Sequence, residues 1–337
     1  MVHYLLCYPV SCLRDRCTGR IQKFLKGGAQ IIILRNIENV GFSYASRLPK
    51  PGETLIGNKF TTSYGGKGAN QCVAVAKLGL NPYMICRLGN DQWGEKYKEN
   101  LEQVGVNIDH VYFTPNVATG IAQISVADSG ENQIVIVPGA NGRISVQDVE
   151  QSAELIICGD ILIGQLETPF DATFEAFKLN KGIKILNAAP ARKDIDRILP
   201  YCTILCVNES EASILTDDDV TLENAVTALQ KLLGTGCETV IITLGQDGAV
   251  YLSKKDNEPI HVLCDPVTAV DTTGAGDAFV GALAAFLVSY KDYPLHQIVG
   301  AACYFATLSV TREGTQTSYS TDCKVFDKTY KYLKLNN

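Results

Sequence analysis

Residues 160–187 read DILIGQLETPFDATFEAFKLNKGIKILN, and the fold turns on how this stretch is parsed. Asp160–Gln165 and Ile183–Asn187 are short apolar runs, and the segment between them reads as a helix. A strand, a helix and a second strand make the crossover that neighbouring parallel strands require. Toward the C-terminus, Thr203–Val207 and Val240–Thr243 repeat the short apolar run, bounded by polar or Gly-containing turns. Toward the N-terminus, Gln30–Leu34 (QIIIL) reads as a buried strand and Ala69–Leu80 as a helix. Val73, Ala76 and Leu80 share a stripe of that helix, and Gly79 marks its end region. The alternation predicts an α/β fold with a mostly parallel sheet covered on both faces. One region departs from it. Gly120–Ala127 and Asn132–Val137 are strands joined by Asp128-Ser129-Gly130-Glu131, a hairpin signature, and Thr54–Thr62 is also strand-like. These predict a small antiparallel β-sheet lid, with strands near 52–64 and 118–138, inserted in a single domain of residues 31–330.

Composition narrows the function classes. The chain has 337 residues, 46% apolar and 20% charged, which excludes whole-chain disorder. A net charge of −6 argues against nucleic acid and anionic membranes as partners. No apolar run is long enough to span a bilayer. Of the 12 cysteines, Cys72, Cys86, Cys206 and Cys303 sit in apolar runs. There is no C-x-x-C, and His3, His110, His261 and His296 are far apart, so reduced thiols are expected rather than zinc. Residues 1–30 form a divergent leader. Its apolar start lacks the basic residues of a signal peptide, while Arg14, Arg16, Arg20, Lys23 and Lys26 leave mitochondrial targeting open. The expected location is otherwise cytoplasmic, with the nucleus not excluded.

Four stretches carry candidate chemistry. In Ala269–Leu283, Phe279, Leu283, Phe286 and Leu287 recur at helical spacing, so a buried helix begins near Gly276. Gly274, Ala275 and Gly276 at its start leave backbone N–H groups with little side-chain cover, an anion site reinforced by the helix dipole. Asp277 beside it stabilises the helix start or takes a proton from an attacking hydroxyl. Gly65-Gly66-Lys67-Gly68-Ala69-Asn70 precedes another helix but is not a Walker A loop, because Gly68 follows Lys67. Its glycines admit a ligand to the backbone, and Lys67 and Asn70 offer donors. Asn208-Glu209-Ser210-Glu211 follows a strand end, where open α/β sheets bind ligands. Asn208 and Glu211 either cap the next helix or order Mg²⁺ waters. Thr243–Gly248 is a Gly-rich turn at another strand end, fit for a nucleotide or for nothing more than a tight turn.

In this order the motifs resemble the PfkB carbohydrate kinase family, and its ribokinase branch in particular. The resemblance rests on Pro51-Gly52-Glu53-Thr54, Gly65–Asn70, Gln165-Leu166-Glu167, Asn187-Ala188-Ala189-Pro190-Ala191, Asn208 with Glu211, Thr243–Gly248, Asp271–Asp277 and Gly314-Thr315-Gln316, over about residues 45–320. It implies a three-layer αβα sandwich with a β-sheet lid, dimerisation through the lids, and transfer of the ATP γ-phosphate to the 5-hydroxyl of D-ribose. Asp277 would be the base and Gly274, Ala275 and Gly276 the anion hole. Gly66, Lys67, Gly68, Ala69, Asn70 and Glu167 would hold the sugar. Asn208, Thr243, Leu244, Gly245, Gln246, Asp247, Gly248, Gly276 and Cys303 would bind ATP, with Asn208 and Glu211 near Mg²⁺. An activating K⁺ would lie at Asp271, Thr273, Ser309, Arg312, Gly314 and Ser318.

One stretch departs from the family pattern. The resemblance calls for a sugar-gripping Asp after the first strand, and counting back from Gly52 puts Val40 there, within Arg35-Asn36-Ile37-Glu38-Asn39-Val40. A hydroxyl left unpaired against Val40 weakens a site built around it. Glu38 or Asn39 substitutes if the register shifts. Otherwise the chain phosphorylates another sugar or a nucleoside, or only binds.

Overall fold

The computed structural model describes residues 29–335 except 35, 322–324 and 326–327. The leader and its targeting signals therefore lie outside the described residues, as does Arg35. Among the described residues, fourteen strands form two sheets. In chain order they are β1 Ile31–Leu34, β2 Glu38–Ala45, β3 Lys59–Gly65, β4 Tyr83–Gly89, β5 Asn107–Thr114, β6 Ile121–Ala127, β7 Asn132–Val137, β8 Ile161–Gly164, β9 Ile183–Asn187, β10 Ile204–Asn208, β11 Thr239–Thr243, β12 Ala249–Ser253, β13 Ile260–Val262 and β14 Tyr332–Lys334. The main sheet has ten strands in the order β14-β13-β12-β11-β10-β9-β8-β1-β4-β5. From β11 to β5 every pairing is parallel. The three strands beyond β11 are antiparallel.

Both faces of this sheet are covered, as the uninterrupted apolar strands required. In β1, Ile31 and Ile33 join one apolar cluster while Ile32 and Leu34 join the other, on the opposite face. All four are fully buried. The expected αβα sandwich is therefore the observed one.

The second sheet has the order β3-β2-β6-β7. Its outer pairs, β2–β3 and β6–β7, are antiparallel, and its central pair, β2–β6, is parallel. The hairpin read at 120–137 is present. The strand read at Thr54–Thr62 lies later, at Lys59–Gly65, because Lys50–Glu53 and Asn58 close turns on Tyr44 and Lys50 instead. Strand β2 was not foreseen, although Val40, Phe42 and Tyr44 alternate with Asn39, Gly41 and Ser43 at the period of a strand; it pairs with β3 and β6.

Two helices position the chemistry. Helix Lys67–Lys77 starts two residues earlier than the apolar stripe implied, and helix Ala275–Ser289 packs against it. Their close approach depends on Gly281. A Cβ there would lie 2.6 Å from both the Gln71 carbonyl oxygen and the Ala74 Cβ. Without a side chain at 281, the first turn of one helix is brought beside the first turn of the other. No helix among the described residues is long and apolar enough to cross a membrane.

Candidate active site

Five neighbouring parallel strands, β11, β10, β9, β8 and β1, end on the same edge of the sheet. At or just past those ends stand Thr243, Asn208, Asn187, Glu167 and Asn36. The carboxyl edge of an open α/β sheet is where strand ends splay and leave a crevice for a ligand.

Asp277 is the centre of this edge. It lies in the first turn of helix Ala275–Ser289 and is buried. One carboxylate oxygen accepts from Asn70 Nδ2 at 2.8 Å and the other from Gln71 Nε2 at 2.9 Å. Both donors are themselves held. Asn70 Oδ1 accepts from Gln316 Nε2 at 3.1 Å, and that amide also donates to the Tyr97 hydroxyl at 3.0 Å. Gln71 Nε2 also donates to Asn187 Oδ1 at 3.0 Å, and Gln71 Oε1 accepts from Gln165. A carboxylate clamped by two fixed amides keeps one orientation, the condition for taking a proton from a positioned hydroxyl.

The turn before Asp277 is equally constrained. Gly274 caps the helix at φ 78°, in the left-handed region. A Cβ there would lie 2.2 Å from Thr315 Cγ2. The Gly274 carbonyl accepts from Ala278 N at 2.9 Å and from the Tyr319 hydroxyl at 3.1 Å. Ala275 N donates to Thr272 O at 3.2 Å. The helix N-terminus and its dipole favour an anion beside Gly276.

Lys67 supplies the positive charge. Burial alone would push its ammonium down, but Asp277, Glu167, Glu211 and Glu38 surround it and together raise it. Burial raises the Glu38 carboxyl, against a hydrogen bond from Asn36 and the attraction of Lys67. Burial also raises the Glu211 carboxyl, although it accepts from Asn208 N and faces Lys67. Asn36 ties this end of the site together: Nδ2 donates to Glu167 Oε2 at 2.6 Å and to Glu38 at 3.5 Å, and Oδ1 accepts from Gly68 N at 3.2 Å.

Two cavities meet at this turn. A small one of about 180 Å³ is lined by Lys67, Asn208, Glu211 and Gly274–Asp277. A larger one of about 640 Å³ is lined by Gly245–Gly248, Phe279, Cys303, Ala306 and Val310. Thr243, Thr272, Ala275 and Gly276 line both. A long anionic ligand seated in the larger cavity therefore reaches the smaller one across Gly276. A groove of about 1270 Å³ lies at the opposite ends of the strands, along Gly159, Thr203 and Glu238. It holds none of these groups, so its size carries no chemistry.

The positions read for a monovalent cation are gathered next to the same turn. Asp271 accepts from Thr273 N and from Gly314 N, each at 2.9 Å, and Val310 O accepts from Val270 N and Asp271 N. Arg312 N donates to Ser309 O at 3.3 Å, and the Ser318 hydroxyl donates to Thr315 O at 2.8 Å. Two residues read as site members contribute no side chain: Ala69 and Leu244 are packed into the core. Asn208 and Glu211 form a reciprocal capping box, Glu211 N to Asn208 Oδ1 at 2.8 Å and Asn208 N to Glu211 Oε2 at 2.9 Å. Sequence reasoning missed Gln71, Asn187 and Gln316 as supports and Asn36 as a bridge. A Gln inside an otherwise apolar helix stripe was the one available signal for Gln71. Among the described residues no three His, Cys, Asp or Glu converge as a metal-binding group.

Comparison with known proteins accords with this geometry. The family model for pfkB family carbohydrate kinases matches residues 34–322. The chain is 42% identical over 296 residues to the ribokinase of Mus musculus, covering 86% of this chain and 92% of that one. It is 36% identical over 299 residues to the deoxyribokinase of Salmonella typhi, covering 87% and 95%. The solved structure of Arabidopsis thaliana ribokinase complexed with ribose and ATP superposes with a TM-score of 0.82 at 30% identity, covering 89% of this chain and 98% of that one. The chain belongs to the pfkB family of carbohydrate kinases.

Proposed function

We propose that this carbohydrate kinase transfers the γ-phosphoryl group of ATP to the 5-hydroxyl of D-ribose, giving D-ribose 5-phosphate and ADP. The carrying observation is the clamped Asp277 carboxylate at a helix N-terminus where the two cavities join. ATP lies in the larger cavity with its phosphates over Gly276, and the sugar lies between Lys67, Asn70, Glu167 and Asp277. Asp277 takes the proton as the hydroxyl oxygen bonds to phosphorus and the bond to the ADP oxygen breaks. Lys67 and the N–H groups of the Gly274–Gly276 turn offset the charge on the transferring group.

Mg²⁺ and K⁺ belong to this reading. Glu211 is the one carboxylate besides Asp277 in the small cavity, which suits an ion that needs few protein ligands beside phosphates and water. When bound, Mg²⁺ supplies charge neutralisation of the phosphates. The oxygen-rich loops 271–273 and 309–318, tied through Asp271, suit a hard monovalent cation that stiffens the adjoining turn. A homodimer also belongs to it: Ile134, Val135, Ile136 and Val137 on β7 are each 50–63% exposed, a patch that a second lid would cover.

A second reading rests on Val40. Glu38 approaches Lys67 and Asp277, and strand alternation places Val40 on the same face of β2. An apolar group there suits a sugar lacking one hydroxyl, and one relative is a deoxyribokinase. The deciding assay is ADP release from Mg·ATP with D-ribose or 2-deoxy-D-ribose, in potassium and in sodium. Ribose-dependent turnover raised by potassium is expected. A folded chain that binds ATP but releases no ADP with ribose overturns the first reading, and turnover only with 2-deoxyribose installs the second. Equal rates in the two salts remove K⁺.

A further inference from the structure

The wall of the larger cavity carries two sulfurs that the kinase reaction does not use. Cys264 follows β13 and is half-buried, while Cys303 is buried on helix Leu295–Ser309. Both line the cavity, together with Thr307. The two thiols lie close enough to influence each other's ionisation, and the Thr307 hydroxyl stands 3.8 Å from the Cys264 sulfur. That hydroxyl donates to Cys303 O at 2.9 Å, which fixes its position between the two cysteines. Among the described residues, Cys72, Cys86 and Cys206 are different in kind: they are sealed in the core, where burial raises the thiol and leaves it inert.

We propose that Cys264 and Cys303 are an oxidisable thiol pair, and that their disulfide closes the cavity to ATP. This rests on the nucleotide reading of that cavity. The oxidant class is a peroxide. The Cys264 thiolate attacks one peroxide oxygen, the O–O bond breaks, and a sulfenic acid and hydroxide form. The Cys303 sulfur then attacks the Cys264 sulfur. The S–O bond breaks, and the departing hydroxyl leaves as water with the Cys303 proton. The hydroxide takes the proton first released by Cys264, so two thiols and one hydrogen peroxide give one disulfide and two waters.

The environment orders the two roles. Cys264 is the more exposed of the two, and the contact with Cys303 lowers its thiol, so it is the one that meets the oxidant. The Cys303 thiol is held well above its ordinary range by its contact with Cys264 and by burial, which suits the resolving partner. Closing this contact to a covalent length of about 2.05 Å draws the loop after β13 toward the helix. That movement narrows the cavity beside Phe279 and Ala306, where a flat base would lie.

The test treats the full chain with hydrogen peroxide under native conditions. It maps the peptides by mass spectrometry and measures ATP affinity by calorimetry before and after. The expected result is a Cys264–Cys303 linked peptide, lighter by two hydrogens, with ATP affinity lowered about tenfold and restored by dithiothreitol. In Cys264→Ser, and in Cys303→Ser should the first variant not fold, peroxide leaves that variant's own ATP affinity unchanged. No linked peptide at a dose that oxidises the exposed Cys158 overturns the pair. A linked peptide with unchanged ATP affinity overturns the closure. Saturating ATP is expected to slow the cross-link. Equal speed with ATP overturns the nucleotide reading of the cavity instead, and the peptide map still decides the pair.

Discussion

The floor of the site and the lid above it are built to different standards. On the floor, a continuous chain of hydrogen bonds runs from Gln71 through Asp277 and Asn70 to Gln316, and Gly274 has no room for even a methyl group. Around this floor, four carboxylates, Asp277, Glu167, Glu211 and Glu38, share the ammonium of Lys67, and burial holds the Glu38 carboxyl above its usual range. The outer lid leaves apolar β7 in solvent. On the proposed reading, the contrast teaches that the phosphoryl end is pre-set by the fold, while the sugar end is completed by the hydroxyls of its ligand. A polar group kept partly unpaired in a half-buried place costs stability, and natural sites carry that cost where binding occurs.

The largest expected effect breaks the floor. Asp277→Asn keeps the shape but removes the proton acceptor. The turnover number should fall by about 10²–10⁴-fold, the usual share of general base catalysis, with ATP affinity by calorimetry retained. Surviving turnover would remove Asp277 from the base role and with it the contrast drawn here. The next effect sharpens the sugar end. Glu38→Gln should raise the KM for ribose more than it lowers the turnover number, costing about 1–3 kcal/mol in kcat/KM if Glu38 accepts from a sugar hydroxyl. Val40→Asp should shift preference from 2-deoxyribose toward ribose. If neither variant alters sugar KM, β2 does not read the sugar.

Glu38→Gln has a second readout. A carboxyl raised in the folded state adds stability below its unfolded range and loses it as pH rises through the folded value. The variant should therefore melt higher than the parent at neutral pH, and the gain should shrink on acidification through the carboxylate range. A gain that is flat with pH would mean that the effect is not electrostatic. The smallest expected effect on catalysis lies at the outer lid. Val135→Lys should abolish any dimer seen by solution mass while changing kcat by roughly twofold or less, as surface changes do. A parent that is already a monomer at micromolar concentration removes the lid dimer.

The legible parts of this protein are the local ones. The runs at 160–165, 183–187 and 203–207 announced buried parallel strands, because a strand covered on both faces needs no polar alternation. The Gly274–Asp277 turn announced an anion site, because glycines at a helix start expose amides whatever surrounds them. Strand β2 carried a local signal too, Val40, Phe42 and Tyr44 alternating with Asn39, Gly41 and Ser43, but its pairing with β3 and β6 was decided by the fold.

What the sequence determined alone was therefore the alternation of elements, the two glycine-rich turns and the identity of the acid at 277. Tertiary structure decided which amides hold that acid. Asn70 stands 207 residues from Asp277 and 246 from Gln316 in the chain. It also decided that Asn36 meets Glu167 and that Glu38 stands near Lys67 and Asp277, and it brought Cys264 beside Cys303. Periodicity and turn chemistry act within a few residues and are written locally. A hydrogen bond between distant side chains exists only after two helices have met at one particular angle, and Gly281 fixes that approach without itself touching the site.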